Sequence, residues 1–79
     1  MAGLMPRFFF NIRTLDDAVI LDLVGIEFPS LAAAKEDTQE GVTVTLVEKQ
    51  AAGEFLYFSA VEIVDKAGKL LSIVGFPKN

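Results

Sequence analysis

Apolar and polar positions alternate across residues 7–13, placing Phe8, Phe10 and Ile12 on one side and Phe9, Asn11 and Arg13 on the other, the period of two that a strand requires. Residues 14–17 are polar enough to turn the chain, and residues 18–22 return as a second strand, so the opening predicts a β-hairpin. A dense series of local signals follows: Asp22-Leu-Val-Gly25-Ile-Glu27-Phe28-Pro29-Ser30-Leu31. Aspartate at the first and glycine at the fourth position of a tetrapeptide favour a type I turn, because the Asp side chain bonds nearby backbone N–H groups. Pro29 biases Phe28 toward extended geometry, and Ser30 can cap a helix by accepting from a free N–H at its start.

From Ser30 the period changes. Leu31, Ala34, Thr38, Val42, Thr45 and Leu46 recur at spacings of three and four on one helical face, while Glu36, Gln39, Glu40 and Gln50 fall elsewhere. The preferred reading is one long amphipathic helix with Gly53 just past its end. Against it, a glycine such as Gly41 costs about 1 kcal/mol relative to alanine in a helix interior, and residues 42–47 are β-branched enough to make a strand. The rival reading therefore ends the helix at Gly41 and makes 42–47 a fifth strand. Residues 55–64 read as a strand with Tyr57, Ser59, Val61 and Ile63 on one face, and residues 70–76 as its partner. Between them Asp65-Lys-Ala-Gly68 suits a type I turn with glycine at a following bulge.

These elements make an α+β domain, β-β-α-β-β, in which two antiparallel hairpins form a four-stranded sheet and one long helix packs on one face. With the first strand inside the sheet, the second strand, the helix and the third strand form a split right-handed crossover. Residues 5–79 are expected to be a single domain. Residues 1–4 are expected to be a disordered N-terminal extension, because Met5 begins a plausible second start.

Composition adds a reason for association. At 79 residues with 52% hydrophobic content and a mean hydropathy of +0.45, the chain has too little interior to hide its apolar surface. The last strand is apolar on both faces, with Leu70, Val74 and Phe76 on one and Leu71 and Ile73 on the other. One helix covers only one side of a sheet, so a second copy of the chain is the expected second layer and the chain is expected to be a homodimer. Phe9, Phe58, Leu71 and Ile73 are the candidate interface, with the Tyr57 hydroxyl suited to its margin. An exposed edge strand or the outer helix face is open to a further, unknown protein partner.

Charge and chemistry mostly exclude. A net charge of −4 and scattered basic residues oppose nucleic-acid binding, including base stacking on the Phe8, Phe9, Phe10, Phe55, Tyr57 and Phe58 aromatics. No apolar run is long enough to span a bilayer, and the N-terminus does not read as a signal peptide, so no membrane association and a cytoplasmic location are expected. The chain has neither cysteine nor histidine, which removes thiolate and imidazole metal sites and the common nucleophile pairs. No enzyme activity and no cofactor are expected. Asp16, Asp17, Asp22 and Glu27 are the candidate polar site, able to hold a hard cation if they met at one end of the first hairpin, though their spacing does not match a calcium loop. Their ordinary reading is as turn formers and solvated charges. Arg7, Asn11 and Arg13 form a polar strip suited to a carboxylate or phosphate, or simply to keeping an edge soluble.

The opening Met5-Pro6-Arg7-Phe8-Phe9-Phe10, the centre Asp22-x-x-Gly25-x-Glu27-Phe28-Pro29-Ser30-Leu31 with Ala34, and the ending Asp65-x-x-Gly68 followed by Leu70, Leu71 and Phe76 resemble a small bacterial family of unknown function. The resemblance covers nearly all of residues 5–77, with Ser30 standing where that family usually has Asp. It implies a β-β-α-β-β domain and carries no activity. Within the central stretch Glu27 has no evident turn or cap role.

Overall fold

β1 (Arg7–Thr14) is the strand around which the other elements are arranged. In the computed structural model, which describes residues 5–77, the order along the chain is β1, β2 (Val19–Ile20), β3 (Ile26–Glu27), α1 (Leu31–Ala52), β4 (Phe58–Val64) and β5 (Leu70–Gly75). The extension expected over residues 1–4 lies outside the described residues. The strands form one antiparallel sheet in the order β2-β1-β4-β5, with β3 paired to β1. β2 and β3 share one edge of β1, since the N–H of Phe28 donates to Pro6 O and that of Thr14 to Ala18 O, and residues of even number along β1 face the same side.

The α+β architecture with a single long helix is as expected; the sheet has five strands rather than four. The expected second strand, residues 18–22, pairs only over Val19–Ile20, and the extended piece before Pro29 makes a further ladder, β3. The expected third strand starts later than residue 55, at Phe58, and the last ends at Gly75. With β1 lying between β2 and β4, the connection through α1 is a split crossover.

Both hairpins use the same loop. The N–H of Asp65 donates to Lys69 O and that of Gly68 to Asp65 O, matching the bonds of Thr14 to Ala18 O and Asp17 to Thr14 O. The third loop residue is left-handed in each, Gly68 at φ 85° and Asp17 at φ 71°.

Residues 42–47 are helical. Ser30 caps the helix, its Oγ accepting from Ala33 N at 3.1 Å. At the other end Gly53 is left-handed, its N–H donating to Gln50 O at 3.1 Å and that of Glu54 to Lys49 O at 2.9 Å. Between these caps Val42 is buried on the same face as Ala34 and Thr38, while the hydroxyls of Thr38 and Thr43 bond the carbonyls of Ala34 and Gln39 one turn back. Burial of Val42 and the caps at both ends outweigh the weak helix preference of this segment.

The core lies between α1 and one sheet face. It contains Phe8, Ala34, Val42, Val61, Ile63 and Val74, with Phe10, Phe28, Leu31, Leu71 and Phe76 packed around it. Ala34 and Thr38 are the buried small residues of the helix face, which approaches the sheet chiefly at β5. No helix of the described residues is long and apolar enough to cross a membrane. Ser30→Ala should remove about 1 kcal/mol and lower the melting temperature by roughly 4–8 °C, read by circular dichroism. Ser30→Asp should keep or raise it, because a carboxylate also accepts the Ala33 N–H and the first turn holds no other acid to meet the helix dipole.

Candidate functional site

β2 and β3 are two halves of one interrupted edge strand. From Ile12 to Arg7 the chain steps back five residues along β1 while its partners advance seven, from Ile20 to Glu27. Two residues are therefore surplus. They are Leu23 and Val24, looped out of the ladder and 84% and 75% exposed.

The break is closed by side chains. Asp22 stands where Phe10 would meet its ladder partner, and its Oδ2 accepts from Phe10 N at 3.1 Å. Asp22 Oδ1 accepts from Val24 N and Gly25 N, both at 3.0 Å, and Asp22 N donates to Asn11 Oδ1 at 2.9 Å. Partial burial disfavours the Asp22 carboxylate, but the N–H groups of Gly25, Val24 and Phe10 and the Arg7 charge outweigh that and hold its pKa below the ordinary aspartate value. The carbonyls of the bulge are met from the other side, by Arg7 Nη1 at 3.0 Å from Val24 O and 3.2 Å from Gly25 O. Arg7 Nη2 lies 3.4 Å from Glu27 Oε2, its neighbour across the β1–β3 ladder. Glu27 thus has a role that sequence spacing did not disclose: it steadies the guanidinium that holds the bulge.

Gly25 is fixed by both conformation and space. It is buried at φ 72°, and a Cβ there would meet Phe8 O at 2.8 Å, Arg7 Cγ at 2.9 Å and the Phe9 ring at 2.9 Å. Gly68, by contrast, has open space around it, so the two Asp-x-x-Gly turns differ in what they support.

The four candidate carboxylates are each engaged separately. Asp22 and Glu27 belong to the bulge. Asp17 pairs with Arg13 at 3.1 Å, and Arg13 also grips Glu62 Oε2 through Nε at 3.1 Å and Nη2 at 2.9 Å. Hydrogen bonding and charge from Glu62, and then Asp17, raise the Arg13 pKa. Asp16 accepts from the Thr14 hydroxyl, which, with the Tyr57 hydroxyl, lowers its pKa; Tyr57 is raised by the same Asp16 contact. Among the described residues no group of three acids is placed to hold a metal ion.

The four candidate interface residues divide between the two faces. Phe9 and Ile73 lie on the sheet face away from α1, Phe9 half-buried under the bulge and Ile73 56% exposed. Phe58 packs at a tilt against Phe76 with ring centres 5.9 Å apart, and Leu71 packs against the core. Leu23 and Val24 were not singled out from the sequence, although two bare aliphatics inside a turn motif were the available signal.

Comparison with family models matches residues 7–77 to a domain of unknown function, DUF6894. No curated protein and no solved structure matches.

Asp22→Asn should cost about 1–2 kcal/mol at pH 7 in urea unfolding, because an amide turned to serve the Val24 and Gly25 N–H groups presents a donor to Phe10 N. The folded-state pKa lies below the unfolded value of 3.8, so this contribution is complete above about pH 5 and lost as pH falls below 3.8. The gap between wild type and variant should accordingly narrow at pH 3. Gly25→Ala should destabilise by more than about 2 kcal/mol by the same measurement.

Proposed function

The chain belongs to the DUF6894 family, and on that premise we propose that it is a non-catalytic protein-interaction module that pairs with a second copy of itself through the bulged β2–β3 edge. The observation that carries this reading is the bulge: a backbone fixed by Asp22, Arg7, Glu27 and Gly25 holds out two aliphatic side chains with no intramolecular packing role. Val19, Ile20, Leu21 and Ile26, on either side of the bulge, are also exposed, so the edge is apolar through most of residues 19–26.

Folding gives no reason for these side chains to be bare. A rigid apolar projection loses little conformational entropy when it is buried by a partner. The interruption at Asp22 breaks the row of ladder groups along this edge, which favours side-chain burial over strand addition as the mode of contact. A second copy supports the reading better than a basic partner, because the projecting pair is uncharged and the 52% hydrophobic chain has more apolar surface than its core uses. The sheet face bearing Ile73 is the weaker surface, since the Arg13–Glu62 pair occupies its middle with Glu62 only 16% exposed.

Light scattering after size exclusion should give twice the chain mass at about 100 µM. A Leu23→Glu, Val24→Glu double variant should return the mass of one chain with unchanged circular dichroism, whereas Ile73→Glu should remain dimeric. Each copy carries −4, so association should tighten as salt screens the repulsion between them. A single-chain mass for the wild type at high salt overturns the reading; monomer formation by Ile73→Glu alone moves the contact to the sheet face.

A further inference from the structure

A cleft of about 300 Å³ runs between α1 and the β1 side of the sheet. Its floor is aromatic, from Phe10, Phe58 and Phe76, and its helix wall is formed by Gly41 and Val42. Two carboxylates line it, Asp22 and Asp37, and no lysine or arginine among the described residues does. We propose that this cleft binds a small lipophilic cation, a protonated alkyl or arylalkyl amine, with its apolar part on the phenylalanines and its ammonium toward Asp22 and Asp37.

Three features point to this class of ligand. The volume is at the lower end of small-molecule sites, and the lining is apolar with few polar groups, the usual composition of such sites. The charge of the lining is of one sign. Asp37 makes no ion pair among the described residues, and Asp22 is held ionised by its backbone donors. An anion would be repelled by that pair and a neutral hydroxyl gains only a hydrogen bond, whereas an ammonium gains charge attraction from both and from the aromatic faces beneath it.

Gly41 supplies an independent observation. A Cβ built there meets nothing within 4 Å, so nothing in the fold requires a glycine. Alanine at this helical position would add about 1 kcal/mol of stability. The missing side chain instead keeps the cleft wide at the wall that faces the aromatic floor.

The test is titration of the full chain with octylammonium, 1-octanol and octanoate at pH 7, followed by amide and methyl chemical shifts. Octylammonium should bind saturably, with shifts centred on Val42, Val61 and Ile12, and about tenfold more tightly than octanol, the ratio that one kcal/mol or so of charge attraction gives. Octanoate should bind more weakly than octanol. Asp37→Asn should lower the amine affinity about threefold to tenfold and leave octanol unchanged. Gly41→Leu, which fills the cleft, should abolish binding of both while Gly41→Ala preserves the fold with a higher melting temperature. Equal binding of amine and octanol, shifts lying outside the cleft, or amine binding that survives Gly41→Leu would each overturn the proposal. The Leu23→Glu, Val24→Glu variant should bind the amine as wild type does, so failure of the paired state and failure of the cleft are read separately.

Discussion

At Phe10 the edge of the sheet is completed by a side chain. The carboxylate of Asp22 takes the Phe10 N–H that a continuing strand would have taken with a carbonyl, and with its other oxygen it gathers the two N–H groups of the bulge. Arg7 meets the bulge carbonyls from the opposite side. The N–H groups of Phe10, Val24 and Gly25 and the carbonyls of Val24 and Gly25 thus find side-chain partners within a few residues, which lowers the cost of breaking an edge strand. The consequence reaches the core. Phe28 packs at a tilt against Phe8 and edge-on to Phe10 with ring centres 6.5 Å and 5.9 Å away, and its place depends on β3 resuming the ladder after the break. The helix starts three residues later, at Leu31.

The core itself is thin. Ile63 is the largest side chain that is fully buried, and the helix contributes Ala34, Thr38 and Val42, which are small. The helix comes closest to β5, and the aromatic cleft lies where the same sheet face, over β1 and the near part of β4, is less well covered. A helix of 22 residues is about 33 Å long, so its ends must be held by caps rather than by core contacts alone. Ser30 and Gly53 do so, which explains how a weakly amphipathic helix rich in β-branched residues persists over its whole length.

Local signals in the sequence were read correctly where one short segment determined the outcome. The two-residue period of β1, the Asp65–Gly68 loop, the Ser30 cap and the Gly53 terminus each depend on neighbours within four residues. β3 was missed because two residues make no period; only their alignment with Arg7 and Phe8 makes them a strand. Glu27 was unexplained for the same reason, its partner being twenty positions earlier in the sequence and adjacent only across a ladder whose register is shifted by two. The cleft depends on which part of the sheet the helix covers, and hydrophobic periodicity on either element does not determine that. The candidate carboxylates were expected to meet at one end of the first hairpin, and the structure gives each a different neighbour: Tyr57 and Thr14 for Asp16, Arg13 for Asp17, the bulge backbone for Asp22 and Arg7 for Glu27.

That distribution of partners bears on what the central stretch can do. A carboxylate that serves as a catalytic base or metal ligand needs unsatisfied lone pairs facing an accessible space, and the lone pairs of Asp22 are largely taken by three backbone donors, so that it acts on a cation through its charge alone. Arg7 is likewise committed, to two carbonyls and a carboxylate. The chemically versatile residues of this stretch therefore determine shape first, and the side chains that this shape leaves most exposed are aliphatic. On the outside these are Leu23 and Val24, held in place by the polar groups beneath them. Toward the cleft Asp22 retains a net charge even with its hydrogen bonds satisfied, since a hydrogen bond to a carboxylate offsets its field only in part. One side chain thus closes the sheet edge and, together with Asp37, gives the adjacent apolar space its sign.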